Sequence, residues 1–228
     1  MIFYEKKHKE TGKDYAYRVL KGNIMSLELK PGELLSESDL SEKLNISRTP
    51  IREVIMKLKN EHLIEVKPQA GTYVSLIDEE IIDEAIFMRK LLEKEVLIEA
   101  CNKFSEEILM ELEKNLFAQK LVLDKAGKEN EFHNLDIEFH RLIFIGCNKT
   151  NIWESIMKIS THYNRMRLLS ERKIDKALLV EQHEEMLSII KNKDVSKINE
   201  YIDKHIVIPS KEWHKLINEN EEIRKYLK

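Results

Sequence analysis

The chain has 228 residues and a net charge of −3 at pH 7, and 42% of its residues are apolar and 35% charged. This length suits two modest domains, the composition is that of an ordinary soluble protein, and the negative net charge argues against general affinity for nucleic acids. No signal peptide and no apolar run of about 18 residues occurs, and the 2 cysteines lie in apolar helical patterns, so we expect free thiols and a cytoplasmic protein.

The start of the chain predicts an arm and one helix. Residues 1–13 are rich in charge and are expected to form a loosely held arm. Apolar residues then recur at helical spacing and predict a helix that packs on the next two. These residues are Tyr17, Leu20, Ile24 and Leu27. A Lys-Pro-Gly sequence at 30–32 makes the following turn.

The stretch 36–58 has the pattern of two short helices joined by a tight turn. Ser36, with Asp39 three residues later, is typical of a helix start. Asn45 suits the end of the first helix because Asn tolerates the left-handed backbone conformation. Pro50 falls in the first turn of the second helix, where its missing N–H costs nothing.

The second of these helices has one face for the core and one for a ligand. Its apolar residues recur at i, i+3, i+4 and i+7, namely Ile51, Val54, Ile55 and Leu58. Ser47 or Thr49 can cap its start, and Arg48, Thr49 and Arg52 begin the opposite face. This is the arrangement of a recognition helix, whose N-terminal end enters the major groove of DNA, where arginine matches guanine or a phosphate.

A short hairpin with the tip sequence KPQAG follows at residues 63–74. It predicts a wing that lays Lys67 and Gln69 along the DNA backbone or the minor groove. Residues 75–78 form a short linker, through which the second domain would set the geometry of the first. We therefore predict a winged helix-turn-helix domain over residues 1–76 and a second domain over 77–228.

The two predicted domains differ slightly in charge. The first carries 13 Lys+Arg against 11 Asp+Glu, and the second carries 25 against 30. The resulting net charges of +2 and −5 have the right sign for an N-terminal domain that binds DNA, but the asymmetry is small. Specific binding of DNA would therefore depend on arginines at suitable positions and on dimerisation.

From Glu79 onward the sequence shows almost only helical periodicity. Helices are predicted over residues 79–102, 104–125, 129–146, 149–170, 175–192 and 194–208. Pro209 is expected to end or kink the last of these, and residues 210–228 predict one further short helix. The predicted fold class is mainly α, with an N-terminal winged helix-turn-helix and a C-terminal all-α bundle of six or seven helices.

Four polar residues lie on the apolar stripes of the predicted bundle. Asp136 and His140 are one turn apart on one helix, and His183 and His205 lie on two others. Because an unpaired buried polar group costs on the order of a few kcal/mol, these residues either satisfy one another or bind a divalent metal. A single histidine at such a position is best interpreted as a core residue with satisfied hydrogen bonds, whereas four aligned polar groups favour a metal site. Such ligands suit Zn²⁺, with Ni²⁺, Mn²⁺ or Fe²⁺ as alternatives.

These motifs resemble the GntR family of bacterial transcription regulators. The N-terminal resemblance lies in LKPGELLSESDLSEKLNISRTPIREVIMKL and the wing sequence GTYV. It implies that Ser47, Arg48, Thr49 and Arg52 contact DNA and that Gly71 approaches the duplex. Family members often carry an arginine where this chain has Ser38, so one DNA contact of the family is expected to be missing.

The second domain resembles the FCD effector domain of the FadR branch of that family, through DIEFH, EQHEEML and KDVSKINEYIDKH. The resemblance implies that Asp136, His140, His183 and His205 bind a metal that helps hold a small carboxylate effector. Arg89 resembles a family arginine that would grip the carboxylate, the alternative being a surface salt bridge to Glu93. Arg165 and Arg167 are further effector candidates, and His162 is a spare ligand or a core residue.

The leading hypothesis is a regulator that binds operator DNA as a homodimer. Two half-sites multiply the few base contacts that one module offers, and an effector would shift the population between two states. The alternatives are a metal-dependent hydrolase with an accessory winged domain, and a regulator whose metal is purely structural or is itself the signal. Against the hydrolase, Asp136 is already used as a ligand and no other inward-facing acid serves as a general base. We therefore predict that the protein is not an enzyme.

Overall fold

The structure is a computed structural model that describes residues 1–123, 125, 127–171 and 176–228. Its N-terminal part contains α1 (Gly12–Met25), β1 (Leu34–Leu35), α2 (Glu37–Leu44), α3 (Arg48–Asn60), β2 (Ile64–Lys67) and β3 (Gly71–Val74). The strands form an antiparallel sheet in the order β1-β3-β2. Three helices and a small sheet thus surround one apolar core, as predicted for a winged helix-turn-helix domain.

Local turn chemistry sets the boundaries of the second helix as expected. The Ser36 hydroxyl accepts the Asp39 N–H at 3.3 Å and begins α2. Asn45 ends α2 with a φ of 54°, in the left-handed region. Pro50 lies in the first turn of α3, whose inner face is completely buried.

The N-terminal arm differs from its prediction. The buried Asn23 side chain of α1 donates to the Ile2 carbonyl at 2.8 Å and accepts its N–H. Arg18 also binds Glu10 through both oxygens of the carboxylate at 2.7 Å. The arm is therefore fastened to α1, and the expectation of a loosely held segment is wrong.

The remainder of the described chain is helical. Its elements are α4 (Glu79–Asn102), α5 (Glu106–Val122), α6 (Glu129–Gly146), α7 (Thr150–Ile159), α8 (Thr161–Glu171), α9 (Lys176–Asn192), α10 (Ile198–Ile202), α11 (Ile208–Glu219) and α12 (Glu221–Arg224). A 3₁₀ turn, Val195–Lys197, precedes α10, and a π turn, Asp203–Val207, follows it. Among the described residues, no helix combines the length and the apolar character that a membrane span requires.

Two of the predicted helices, 149–170 and 194–208, differ in detail from the helices of the structure. The predicted helix 149–170 is two helices, because the backbone leaves the helical region at Ser160, with a ψ of 16°. The end of the predicted helix 104–125 and the start of 175–192 fall partly outside the described residues. Pro209 lies in the first turn of α11, directly after the π turn, and it cannot donate to the carbonyl of His205. The helical path therefore continues through Pro209 with a changed hydrogen-bond pattern.

The linker between the two parts is held by the C-terminal segment. The Ile77 N–H donates to the Tyr226 carbonyl at 2.7 Å, and the Lys228 N–H donates to the Ile77 carbonyl at 2.9 Å. Ile77 is completely buried in an apolar cluster that also contains Leu27 from the N-terminal part and Trp213 from α11. The linker is therefore a packed element of the fold.

Candidate functional site

Three imidazoles converge in the core between α6, α9 and the π turn. The Nε2 atoms of His140 and His205 lie 3.1 Å apart, and one nitrogen each of His140, His183 and His205 lies within 4.8 Å of the others. Asp136 Oδ1 lies 3.2 Å from Nε2 of His183. All four residues are at most 5% exposed. The structure thus brings together the four residues that the sequence predicts as metal ligands.

Hydrogen-bond partners orient each of these rings. The nitrogen facing away from the group meets an oxygen in every case: Gln119 for His183 at 2.8 Å, Gln182 for His205 at 2.7 Å and Glu93 for His140 at 3.1 Å. In each ring this nitrogen is Nδ1, so an Nδ1–H can donate to the oxygen while Nε2 keeps its lone pair. Metal-binding histidines are commonly held in this way.

The donor set fits a divalent cation. Asp136 Oδ2 is buried and has no hydrogen-bond partner among the described residues. The 3.1 Å between Nε2 of His140 and Nε2 of His205 suits two nitrogens that share one metal at bond lengths of about 2.0–2.1 Å. Mutual hydrogen bonding, the alternative to a metal, would leave the buried Asp136 Oδ2 unsatisfied.

The protonation states of the site also favour a metal. Burial alone would raise the pKa of Asp136, but the Arg167 guanidinium bound to its Oδ1 and the nearby histidines lower that pKa well below its usual range. Burial, reinforced by neighbouring histidines, lowers the pKa of His205 strongly, and burial also lowers the pKa of His183. The site therefore offers a carboxylate and neutral imidazoles, the forms that bind a metal.

Aromatic rings cover the flat faces of two histidines. Phe139 stacks on His183 with ring centroids 4.4 Å apart, and Tyr201 stacks on His205 at 5.3 Å. The Tyr201 hydroxyl is buried without a hydrogen-bond partner in the described part of the chain. Burial raises the pKa of Tyr201 well above its ordinary value, so the hydroxyl remains a neutral donor beside the site. In the sequence Tyr201 lies four positions before His205, a spacing that indicates a shared helical face but no role.

Arg89 reaches the site through Glu93. Its Nε donates to Glu93, whose other carboxylate oxygen lies 3.1 Å from His140. Both members of the pair are only 3% exposed, so the predicted surface salt bridge exists but is buried. Burial raises the pKa of Glu93, but Arg89 and His140 outweigh it and lower the pKa to about 2. Sequence reasoning missed the role of Glu93, because an i, i+4 pair has the same spacing at a surface and in a core.

Arg165 does not face the histidines. It donates to the Ser75 carbonyl at 2.8 Å and to the Ser75 hydroxyl at 3.1 Å, on the opposite side of α8 from Arg167. Positions two apart on a helix differ by about 200°, so these two arginines cannot share one site. His162, predicted as a spare ligand or core residue, is buried at the same junction as Arg165. The effector role predicted for Arg165 does not fit this position.

The N-terminal end of α3 presents the predicted DNA contacts to solvent. Ser47 occupies the N-cap position, but its side chain makes no capping hydrogen bond, contrary to the prediction that it could cap the helix. Ser47, Arg48 and Thr49 are all exposed. Arg52, one turn further on, is 66% exposed and donates to Glu37 at 2.6 Å. The four side chains therefore lie together at an open helix terminus.

The wing is a tight antiparallel hairpin in which Lys67 pairs with Gly71. Gln69 at its tip is exposed and has a φ of 61°, in the left-handed region. Gly71 has a φ of 131°, and a Cβ there would lie 2.9 Å from Leu34. The left-handed backbone therefore favours glycine at this position, whereas the exposed Leu34 side chain could move aside. The Lys67 side chain is 51% exposed beside Glu65.

Two protein-family models match the chain. "Bacterial regulatory proteins, gntR family" matches residues 13–74, and "FCD domain" matches residues 84–207. The chain belongs to the GntR family of bacterial transcription regulators. The members of these families and the relatives below are named transcription regulators rather than enzymes, which confirms the prediction of a non-enzyme.

This GntR-family chain is similar to several curated regulators. It is 31% identical over 180 residues to an uncharacterised HTH-type transcriptional regulator in an unstable DNA locus of Streptomyces ambofaciens, covering 78% of this chain and 75% of the other. It is 28% identical over 205 residues, 90% of each chain, to the HTH-type transcriptional repressor RspR of Escherichia coli (strain K12). It is 26% identical over 190 residues, 81% and 77% of the two chains, to the gluconate operon transcriptional repressor of Bacillus subtilis (strain 168).

The fold of this regulator also occurs in solved structures. Escherichia coli McbR/YncC matches with a TM-score of 0.75 at 22% identity, over 92% of this chain and all of the other. A transcriptional regulator GntR from Rhodococcus sp. RHA1 matches with a TM-score of 0.73 at 17% identity, over 89% and 97% of the two chains. At these identities the likeness concerns the fold alone.

Proposed function

We propose that this GntR-family regulator binds operator DNA as a homodimer and responds to a small carboxylate effector held near a metal. The observation that carries the proposal is the convergence of three buried imidazoles beside the buried carboxylate of Asp136, in the same chain as a winged domain. The proposed DNA contacts are Ser47, Arg48, Thr49, Arg52, Lys67, Gln69 and Gly71. The exposure of the α3 terminus supports this assignment.

The proposed metal ligands are Asp136, His140, His183 and His205. Three nitrogens and one oxygen suit Zn²⁺ first, with Ni²⁺, Mn²⁺ or Fe²⁺ as alternatives. A metal bound there would act as a Lewis acid toward a carboxylate oxygen of the effector. Arg167 directly contacts Asp136, one of the proposed ligands. Arg89 binds Glu93, which in turn contacts the proposed ligand His140. The proposal therefore keeps these two arginines for the effector and omits Arg165.

The homodimer is supported by an exposed apolar face on the bundle. Phe87 and Leu91, one turn apart on α4, are 69% and 49% exposed. With Met88, Leu92 and Ile159 they line a cleft of about 680 Å³. Exposed apolar patches of this kind mark interaction sites, and a second copy across a two-fold axis would cover the same face on both chains.

Metal content is the first test of the proposal. Mass spectrometry of the purified protein is expected to find near one metal per chain, and none in an Asp136→Ala, His183→Ala double variant. The double variant removes one oxygen and one nitrogen donor from different helices. Absence of metal from the parent chain after loading with Zn²⁺, Ni²⁺, Mn²⁺ and Fe²⁺ would overturn the metal part of the proposal.

The DNA contacts are tested with a fragment enriched from a random DNA pool by the parent protein. Arg48→Ala or Arg52→Ala is expected to weaken binding of this fragment about 5- to 150-fold, because a bidentate contact contributes about 1–3 kcal/mol. Arg141→Ala is the matched control, since Arg141 is 41% exposed on α6 and pairs with Glu138. Affinities of both test variants within about threefold of the parent, measured at one salt concentration, would contradict the contact assignment.

A further inference from the structure

We propose that Asn115 and Gln119 on α5 are positioning residues that set the tautomer of His183. The inference rests on the proposed metal site, but it concerns a hydrogen-bond relay that is complete without a metal. The relay runs from the backbone of α6 through two amides of α5 to an imidazole of α9. It determines which nitrogen of His183 carries the proton, and therefore whether its lone pair faces the other ligands.

The direction of the relay follows from its fixed end. Asn115 Nδ2 donates to the Leu135 carbonyl at 3.0 Å, and a carbonyl can only accept. Asn115 Oδ1 is therefore turned toward Gln119, whose Nε2 donates to it at 2.7 Å. Gln119 Oε1 must then face Nδ1 of His183, at 2.8 Å. The orientations of the Asn115 and Gln119 side-chain amides are thus both fixed by the Leu135 carbonyl oxygen. They do not depend on an arbitrary assignment of the oxygen and nitrogen atoms within each amide.

The consequence for His183 is an Nδ1–H. Gln119 offers an oxygen to Nδ1, which favours the tautomer with the proton on Nδ1 and the lone pair on Nε2. Asp136 opposes this arrangement, because its Oδ1 lies 3.2 Å from Nε2 and would accept a proton there. Two acceptors thus compete for the single proton of the neutral ring. The contact to Gln119 is shorter, at 2.8 Å against 3.2 Å, and Arg167 already donates to Asp136 Oδ1, so the proton is favoured on Nδ1.

Burial makes the relay costly to reverse. Asn115 is 8% exposed, and Gln119 and His183 are completely buried. Turning the Gln119 amide around would direct two oxygens at each other and leave buried polar groups without partners, which is unfavourable. The relay also begins at Leu135, directly before Asp136, so it ties the proposed ligands of α6 and α9 together. His183 is thereby prepared for a metal before one binds.

The test is the protonation pattern of His183 in the metal-free, ¹⁵N-labelled full chain. Long-range ¹H–¹⁵N correlation spectra are expected to show Nδ1 protonated and Nε2 bare. In Gln119→Met and Asn115→Leu the proton is expected to move to Nε2, where Asp136 accepts it. Affinity for Zn²⁺ is then expected to fall about 10- to 100-fold, as for other residues that orient a metal ligand.

Two further variants separate positioning from a structural role. Gln119→Glu keeps an oxygen opposite Nδ1, so it is expected to retain the Nδ1–H and to bind Zn²⁺ more tightly than Gln119→Met. Gln182→Met is the matched control, because Gln182 faces His205 at 2.7 Å and should leave the His183 signals unchanged. Circular dichroism verifies that each variant is folded.

The outcomes are distinct. An Nδ1–H on His183 that persists in folded Gln119→Met and Asn115→Leu would overturn the proposal, even if metal affinity fell. An Nε2–H in the parent chain would also overturn it. If the parent shows the Nδ1–H, the variants move it, and no metal binds, the relay is supported while the metal part of the proposed function fails.

Discussion

Glu93 is a buried carboxylate that joins the arginine of α4 to a histidine of the candidate site. It accepts from Arg89, and it lies 3.1 Å from His140. The Arg89 guanidinium also lies 4.5 Å from the ring centroid of Tyr163. Since all of this charge is buried, neutralising one partner leaves the other without compensation, which is more damaging than losing a surface pair.

The first prediction concerns Glu93→Gln, which leaves Arg89 buried without its counter-charge. We expect it to lower the free energy of unfolding of the bundle by about 3 kcal/mol. Glu111→Gln is the control, because the Lys114–Glu111 pair is 70% and 47% exposed and water screens its charges, so that we expect a much smaller loss. Urea unfolding followed by the fluorescence of Trp153 and Trp213 measures both. Equal losses of unfolding free energy in the two variants would contradict the prediction, because burial of the Arg89–Glu93 pair would then make no difference to stability.

At the scale of the element, α8 lies between the candidate site and the winged domain. One side of it carries Arg167, which contacts Asp136. The other side carries Arg165, bound to Ser75, and His162. Any shift of α8 relative to α6 therefore also moves the groups that hold the linker. Such a shared element is a physical requirement for coupling an effector to DNA binding.

His162 makes this junction sensitive to pH. Its Nδ1 accepts the Asp78 N–H at 2.8 Å, and its Nε2 donates to the His62 carbonyl at 2.8 Å. Arg165 also lies 3.3 Å from Nδ1. Burial and then the charge of Arg165 lower the pKa of His162 to about 3. The folded junction therefore requires the neutral ring, although the carboxylate of Asp78 acts in the opposite direction.

The second prediction follows from this shift. Below about pH 6.5 the unfolded chain binds a proton at His162 that the folded chain does not, so stability is lost as the pH falls toward 3. Between about pH 7 and pH 5 we expect the parent to lose about 2 kcal/mol more than His162→Gln, which cannot titrate. Urea unfolding at both pH values measures the difference, with His8→Gln as an exposed control. If the free energy of unfolding falls by the same amount in the parent and in His162→Gln between the two pH values, the requirement for a neutral His162 ring is refuted.

At the scale of the whole molecule, two apolar stripes are open to solvent. One lies on α4 at Phe87 and Leu91, and the other lies on α5 at Met110, Phe117 and Leu121. The α4 stripe borders the cleft that Ile159 of α7 completes. It therefore offers a two-helix surface, and we prefer it as the place where a second copy binds.

The third prediction is that Phe87→Glu weakens dimerisation at least tenfold. The variant adds a carboxylate beside Asp83 and Glu84, and a two-fold axis would bring these like charges together. Phe117→Glu is the matched control, because Phe117 is 63% exposed on α5. Light scattering after size exclusion measures the mass over a dilution series. A monomeric parent, or a dimer broken by Phe117→Glu alone, would contradict the proposed interface.

Periodicity and turn chemistry were sufficient to predict most elements and the composition of the candidate site. Asn45 ends α2, and predicted helices 79–102 and 129–146 coincide with α4 and α6, because caps and apolar spacing act within a few residues. Asp136 and His140 lie one turn apart on one stripe, so their shared burial also followed from local spacing. The winged helix-turn-helix and the all-α bundle could be predicted on the same grounds.

The partners of the site could be assigned only after the chain had folded. Gln119 and His183 are 64 positions apart and on different helices, so no local pattern indicates their hydrogen bond. Arg165 and Arg167 looked equivalent in the sequence, yet neighbouring helices direct one to the linker and the other to Asp136. Helical spacing determines which face a residue occupies, whereas the packing of helices determines what that face meets. For charged and amide groups the second factor decides the chemistry, because their partners come from other elements.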